Sequence, residues 1–394
     1  MSATGEDGTV WDLVVVGAGP AGSAAALGAL AHDPQLRVLL LDRADFPRDK
    51  SCGDGIAPHV VDVLDRVGAH DVVAGWEPLR RLEISNARAS VAGQLARPVW
   101  VIPRAVFDAR LVERATAAGA QLRRHRVASV AERDGVVVLD DSIRARVVVG
   151  ADGAHSAVRR SRTGTAPSPS STALAIRGYV PTPASLRGLQ LIRYGDRRQP
   201  SYAWCFDRGD GLANVGYGEL IGGADDGSLT RQVLLEQLER LIPGTVTADV
   251  RWRAHHLPLT GLRWQQQSGP VLLAGDAAGL VNPMTGEGIY YAVLSGVLAG
   301  RAAAGAVRTG RTAGAGSTYR RSVRRALAGH LRHTWLASHL TRHEAVVSAG
   351  IRASASSRAV FDDLVEIGLG AGRITPRLAG GLLTELGTHR RTPR

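Results

Sequence analysis

The rhythm of apolar and polar positions changes several times along the chain. Asp12 to Gly22 reads DLVVVGAGPAG, a short apolar run rich in β-branched residues that leads into Gly17-x-Gly19-x-x-Gly22 and an alanine-rich stretch. A second apolar run, RVLLLDR, carries Asp42 near its end. Strand, glycine turn, helix and strand with a terminal acid predict a βαβ unit that cradles a dinucleotide. VVVGADGAHSAVRR (147–160) and GPVLLAGDAAGLVNPMTGEGIYYAVLSG (269–296) predict further strands of the same sheet, and the last opens a helix near Gly288. Residues 171–220 alternate faster, as in LQLIRY, SYAWCF and LANVGYG, and lack the βαβ order, which predicts an antiparallel sheet. VTADVRWRAHHLPL reads as one long strand and residues 228–242 as an amphipathic helix. RTGTAPSPSS, around 162–171, reads as the linker between the two regions.

Composition narrows the picture. A chain of 394 residues with 44% hydrophobic content supports a large core and two joined domains. The net charge of +12 is concentrated in residues 311–394, where fourteen arginines face five acidic residues. No nucleic-acid reading element accompanies that charge, so nucleic acid is not an expected partner. The two cysteines form no disulfide framework and no C-x-x-C pair, so no metal site is expected and a reducing cytoplasm is the default. His155, His255 and His256 show no metal spacing and read as structural. The polar, acidic N-terminus does not resemble a signal peptide. No uninterrupted apolar run reaches the roughly 18 residues of a membrane span, which predicts a soluble or peripheral protein. Lysine occurs once, as Lys50, in RDKSCGDGIAP beside Cys52.

With those motifs assembled, the chain resembles the FAD-dependent enzymes of the p-hydroxybenzoate hydroxylase fold: GAGPAG, GADGAHSAVR and GDAAGLVNPMTGEG are similar to their three FAD motifs. KSCGDGIAP, PSYAWCFDRGDGLANVGYG and LVNPMTGEGIYYA resemble, more narrowly, the geranylgeranyl reductase family. Pro200, Tyr202, Trp204 and Phe206 match that family's P-x-Y-x-W-x-F-P stretch, and Asp207 stands where the pattern has proline. The resemblance implies an α/β fold. A Rossmann-like FAD-binding domain (10–80, 104–161 and 268–310) would join an antiparallel-sheet substrate domain (81–103 and 162–267) and a helical, basic C-terminal region (311–394). It implies FAD as cofactor, a small hydrophobic isoprenoid-type substrate, and reduction of its C=C bonds. A monooxygenase acting on a prenylated or terpenoid intermediate is the alternative. Only one dinucleotide fingerprint is present; GLGAG (368–372) follows no strand. Electrons would therefore come from transiently bound NAD(P)H or an external donor protein.

The same resemblance assigns roles. Gly17, Gly19, Pro20, Ala21, Gly22, Asp42 and Arg43 would hold the ADP half of FAD, with Val127 beside them. Arg104, Gly275 and Asp276 would hold its middle, and Gly286, Gly288 and Ile289 would present backbone N–H groups to the flavin edge. Asp152 either touches the cofactor or caps the following helix. Lys50, Ser51 and Cys52 would lie over the flavin, where Cys52 serves as proton donor or shapes the cavity, or is simply a small buried side chain. Lys50 is expected to lower the thiol pKa or to touch the cofactor phosphates. Tyr202 and Trp204, two apart on a strand, would form one aromatic wall. Cys205 would face the other way. Tyr319, Val323, Leu327 and Leu331 recur every fourth residue among arginines, as in a helix lying on an anionic membrane or packing on the body.

Overall fold

The computed structural model describes residues 9–163, 171–221 and 229–389. The residues 164–170 of the expected linker and residue 228 of the expected helix fall outside that set. The first sheet has seven strands. Its parallel centre runs Gln121–Arg124, Val38–Asp42, Val10–Val16, Ile143–Gly150 and Val271–Leu273, and the hairpin Val130–Arg133 and Val136–Leu139 extends one edge. Side-chain alternation sorts these strands between two cores. Leu13, Val15 and Leu40 face the helices, while Val14, Val16, Leu39 and Leu41 pack with Val130, Val137 and Val158.

Two helices meet closely over this sheet. Pro20–Leu30 follows the first strand, and Ile289–Arg308 crosses it so tightly that a Cβ on Gly300 would lie 2.0 Å from the Ala25 carbonyl oxygen. Ile289–Arg308 is long and apolar enough to cross a membrane, a property the scan for uninterrupted apolar runs did not reveal. Over three quarters of its apolar window is buried against the body, so its apolarity serves the core (78%).

The second sheet has eight strands in the order Arg253–Pro258, Thr172–Pro181, Leu212–Leu220, Tyr202–Asp207, Leu189–Tyr194, Leu79–Ser85, Ser90–Val101 and Gly55–Ile56. All neighbours are antiparallel except Leu189–Tyr194 with Leu79–Ser85. One face packs under the helix Arg231–Leu241, burying Ala203, Cys205, Val215 and Leu234. The long strand expected over 246–259 is confined to Arg253–Pro258. Upstream, the Glu239 carboxylate accepts the backbone N–H groups of Gly244 and Val246, and Val250 and Trp252 pack over Gly178. Those donors are lost to a ladder, and the chain loops.

Four helices complete the body: Ala315–Leu340, Glu344–Ser356, Arg358–Leu369 and Pro376–His389. Tyr319, Val323, Leu327 and Leu331 are all buried in the main core. The apolar stripe of this basic helix is therefore consumed by packing on the body. GLGAG lies at the end of Arg358–Leu369, where Gly370 caps the helix.

Candidate active site

A single continuous cavity of about 930 Å³ runs from the glycine turn, between the two sheets, to the C-terminal helices. Its first arm is set by the strand Val10–Val16. Gly17 adopts φ +98°, and a Cβ on Gly22 would lie 1.7 Å from the Gly17 carbonyl oxygen, so helix and turn touch without side chains between them. Gly19 caps Pro20–Leu30 with no side chain of its own. A Cβ there would meet Arg48 Nη2 at 3.4 Å, Arg104 Nη2 at 3.8 Å and, between them, Asp108 Oδ2 at 3.9 Å. An uncapped helix N-terminus faced by two guanidinium groups suits a pyrophosphate. These residues fit FAD.

Asp42 braces this arm. Its Oδ2 accepts the Ala18 N–H at 2.9 Å and its Oδ1 the Ala44 N–H at 3.0 Å. Arg48 bridges Asp42 and Asp108. Arg104 is no surface cation: it is 4% exposed and grips Asp108 at 2.6 and 2.8 Å. Burial works against its charge, but Asp108 holds it well above the usual arginine range. Asp152 caps Ala157–Thr163, accepting from Ser156 Oγ at 2.5 Å and the Ala157 N–H at 2.6 Å, while still lining the cavity.

The cysteine loop forms the middle. Lys50 Nζ lies 2.9 Å from Asp276 Oδ2, joining two motifs 226 residues apart. Burial alone would push Asp276 up, but Lys50 and His255 hold it well below the usual carboxylate range. Lys50 does not lower the thiol pKa overall. Burial raises Cys52, and among the groups that oppose it Arg104 outweighs Lys50. The thiol thus stays protonated at neutral pH.

The second sheet ties this loop down. Arg177 bonds Asp49 and the Lys50 carbonyl, Ser51 Oγ donates to the Arg253 carbonyl, and Asn214 Nδ2 donates to the Cys52 carbonyl and to Asp54, both at 2.8 Å. Asp54 has φ +61° and accepts Tyr179 Oη at 2.5 Å. Burial pushes its carboxyl up to about 6, against Tyr179, Arg177 and Asn214.

The other arm is apolar. Tyr194, Tyr202, Trp204 and Phe206 form a ladder with successive ring centroids 5.8, 6.0 and 6.5 Å apart. Cys205 points away into the helix-covered core. Trp204 Nε1 donates to Asn214 Oδ1 at 2.8 Å, and a Cβ on Gly216 would sit 2.3 Å from its ring. Opposite lie Val347, Ile351, Leu364, Ile367 and Leu382. Tyr202 Oη donates to the Thr285 carbonyl, which leads into Gly286, Gly288 and Ile289 at a helix N-terminus whose N-cap, Gly288, has no side chain. Glu287 Oε1 accepts the Tyr290 N–H at 2.8 Å, and burial pushes its carboxyl up to about 7.

Of the residues expected to form the site, all line this cavity except Gly22 and Gly275. Those two lie beneath it; Gly275 (φ +58°) packs on Ala21 and Ala292. His155 stacks edge-on against His255 and His256. Among the described residues no cluster is arranged to hold a metal ion. Sequence reasoning missed Arg48, Asp54, Arg177, Asn214 and Glu287. Asp54 and Glu287 stood inside quoted motifs as charges among glycines, a signal that was there to use.

The FAD binding domain family matches residues 11–198. Menaquinone reductase of Mycolicibacterium smegmatis is 34% identical over 312 residues, 73% of this chain and 75% of that one. Geranylgeranyl diphosphate reductase of Rhodobacter capsulatus is 32% identical over 77% of each chain. The chain belongs to the geranylgeranyl reductase family. Like its relatives it is an FAD-dependent oxidoreductase. A geranylgeranyl bacteriochlorophyll reductase-like protein from Thermoplasma acidophilum shares the fold of this reductase-family chain, with a TM-score of 0.77 at 18% identity over 96% of this chain and 99% of that one.

Proposed function

We propose that this enzyme reduces a C=C bond of an isoprenoid chain, taking electrons from transiently bound NAD(P)H or an external donor protein. The observation that carries the reading is the aromatic ladder Tyr194–Tyr202–Trp204–Phe206, which floors an apolar arm leading directly to Cys52 and the helix N-terminus at Gly288. A long apolar chain fits that arm, and the named relatives act on menaquinone and geranylgeranyl diphosphate. FAD held by the glycine turn, Arg48 and Arg104 would, when reduced, supply the hydride for one alkene carbon. At the adjacent carbon the proton comes from Cys52 Sγ, which burial keeps protonated. The thiolate left behind faces the Arg104 guanidinium and is reprotonated from solvent. The ladder orients the alkene and excludes water.

The test is product mass after anaerobic incubation of the reduced holoenzyme with geranylgeranyl diphosphate or menaquinone. A gain of two hydrogens is the expected result. A product formed only in air, heavier by one oxygen, would make the enzyme a monooxygenase.

A further inference from the structure

Six large hydrophobic side chains are exposed among the described residues, and three of them, Leu336, Leu340 and Leu383, belong to the C-terminal helices. Leu340 is 40% exposed and also lines the cavity, so the cavity reaches the surface at the last turn of Ala315–Leu340. Behind this mouth the arm continues past Ala337, Val346, Leu378 and Leu382. Leu336, one turn earlier, is 44% exposed. At 3.6 residues per turn, Arg325, Arg332, Leu336 and Leu340 fall within about 80° of arc, and all four are exposed. Trp335 adjoins the stripe, half-buried and packed on His339 with ring centroids 4.0 Å apart.

The charge around the mouth is one-sided. Four of the five acidic residues of 311–394 already face an arginine, Glu344 with Arg88, Asp362 with Arg358, Asp363 with Arg377 and Glu385 with Arg352, and Glu366 is bonded to His59. Arg325, Arg332 and Arg342 are exposed and make no ion pair among the described residues. Adjacent arginines and leucines, opening on an apolar passage, match a surface that is anionic outside and hydrocarbon within. An acidic protein would meet the arginines but would bring nothing to fill the passage behind the leucines.

We propose that this rim docks on an anionic lipid bilayer. Leu336 and Leu340 enter the headgroup boundary, Arg325 and Arg332 meet lipid phosphates, and a prenyl chain passes from bilayer to cavity without crossing water. The docking face is the outer edge of the helix; its buried stripe of Tyr319, Val323, Leu327 and Leu331 takes no part. This inference rests on the reading of the substrate as a lipid-soluble isoprenoid.

The experiment is co-sedimentation of the FAD-loaded protein with vesicles of phosphatidylcholine alone or equimolar with phosphatidylglycerol. Turnover of menaquinone in detergent micelles is read in parallel. Wild type should sediment with the anionic vesicles and be released by high salt. Leu336→Glu, and separately Arg325→Glu with Arg332→Glu, should weaken binding at least about tenfold while flavin content and micellar turnover stay unchanged. Wild type remaining in the supernatant, or variants sedimenting like wild type, would overturn the proposal. So would a wild-type dimer that Leu336→Glu dissociates in the absence of lipid, which would assign the leucines to a second copy of the chain. Vesicle binding without micellar turnover would instead count against the substrate reading alone.

Discussion

The two arms of the cavity are built on different physical terms. The nucleotide arm is made of backbone: Gly17, Gly19 and Gly22 bring a turn and a helix together at contact distance, and Asp42 fastens the turn through the Ala18 N–H. That glycine cradle lies within about thirty residues of chain, and Arg104 and Asp108 reach it from the helix Arg104–Ala117. The apolar arm is made of side chains from the second sheet and the four C-terminal helices, and its middle is held by pairs such as Lys50–Asp276 and Asn214–Cys52 that span more than 150 residues. A backbone cradle tolerates almost no added atom, whereas a side-chain wall can repack and lose geometry before it loses stability.

That difference can be broken open most forcefully at two glycines. Gly22→Ala puts a Cβ 1.7 Å from the Gly17 carbonyl oxygen. It is expected to abolish flavin binding and to cost about 3 kcal/mol or more, read by flavin absorbance per chain and thermal unfolding. Gly216→Ala pushes on the Trp204 ring and also on the Ile176 carbonyl oxygen, each 2.3 Å from the added Cβ, so thermal unfolding is read beside turnover. It should keep the flavin and lower turnover roughly 10²-fold through misplacement of the substrate. Loss of flavin in Gly216→Ala would mean that the arms are not separable.

Cys52→Ala sharpens the chemistry assigned to the join between the arms. The expected result is a fall in turnover of about 10²–10⁴-fold with FAD still bound. Unchanged turnover would leave the thiol with a packing role only.

A smaller effect is expected in the pH dependence of stability. Asp54 is raised from 3.8 to about 6, so the folded chain holds a proton there that the unfolded chain releases. Stability contributed by the neutral carboxyl is fully present below pH 3.8 and is lost as pH rises toward 6, by roughly 2–3 kcal/mol. Denaturant unfolding of wild type should show that slope between pH 4 and 6, and Asp54→Asn should flatten it. A slope unchanged in the variant would assign it to other carboxyls.

The smallest effect belongs to Lys50→Met. Removing one partner of a fully buried pair costs about 3–5 kcal/mol. Lys50 keeps 27% exposure, so a loss of ~1–2 kcal/mol is expected, measured as a lower denaturation midpoint. No change in midpoint would mean that solvent replaces the ammonium at Asp276.

Much of the nucleotide arm was legible in the chain because its physics is local. Glycine spacing, β-branched runs and a terminal acid are short-range requirements, and the residues meeting them are neighbours in sequence. The pairing of Tyr202 with Trp204 on one face, with Cys205 on the other, followed equally from the two-residue period of a strand. Other features depended on partners no local rule supplies. In the stretch 246–252 the Val246 N–H goes to the Glu239 side chain and the Val250 N–H to the Thr247 carbonyl, and no strand forms there. The Cys52 thiol was raised rather than lowered, because burial by distant elements outweighed a neighbouring lysine. The stripe at Tyr319 was turned inward by the helix it met. By itself, then, the sequence determined the cofactor cradle, the order of its motifs and the aromatic wall. The tertiary structure alone decided protonation, the partner of Lys50 and the side on which the apolar arm opens, because each is set by desolvation and contacts between residues far apart in the chain.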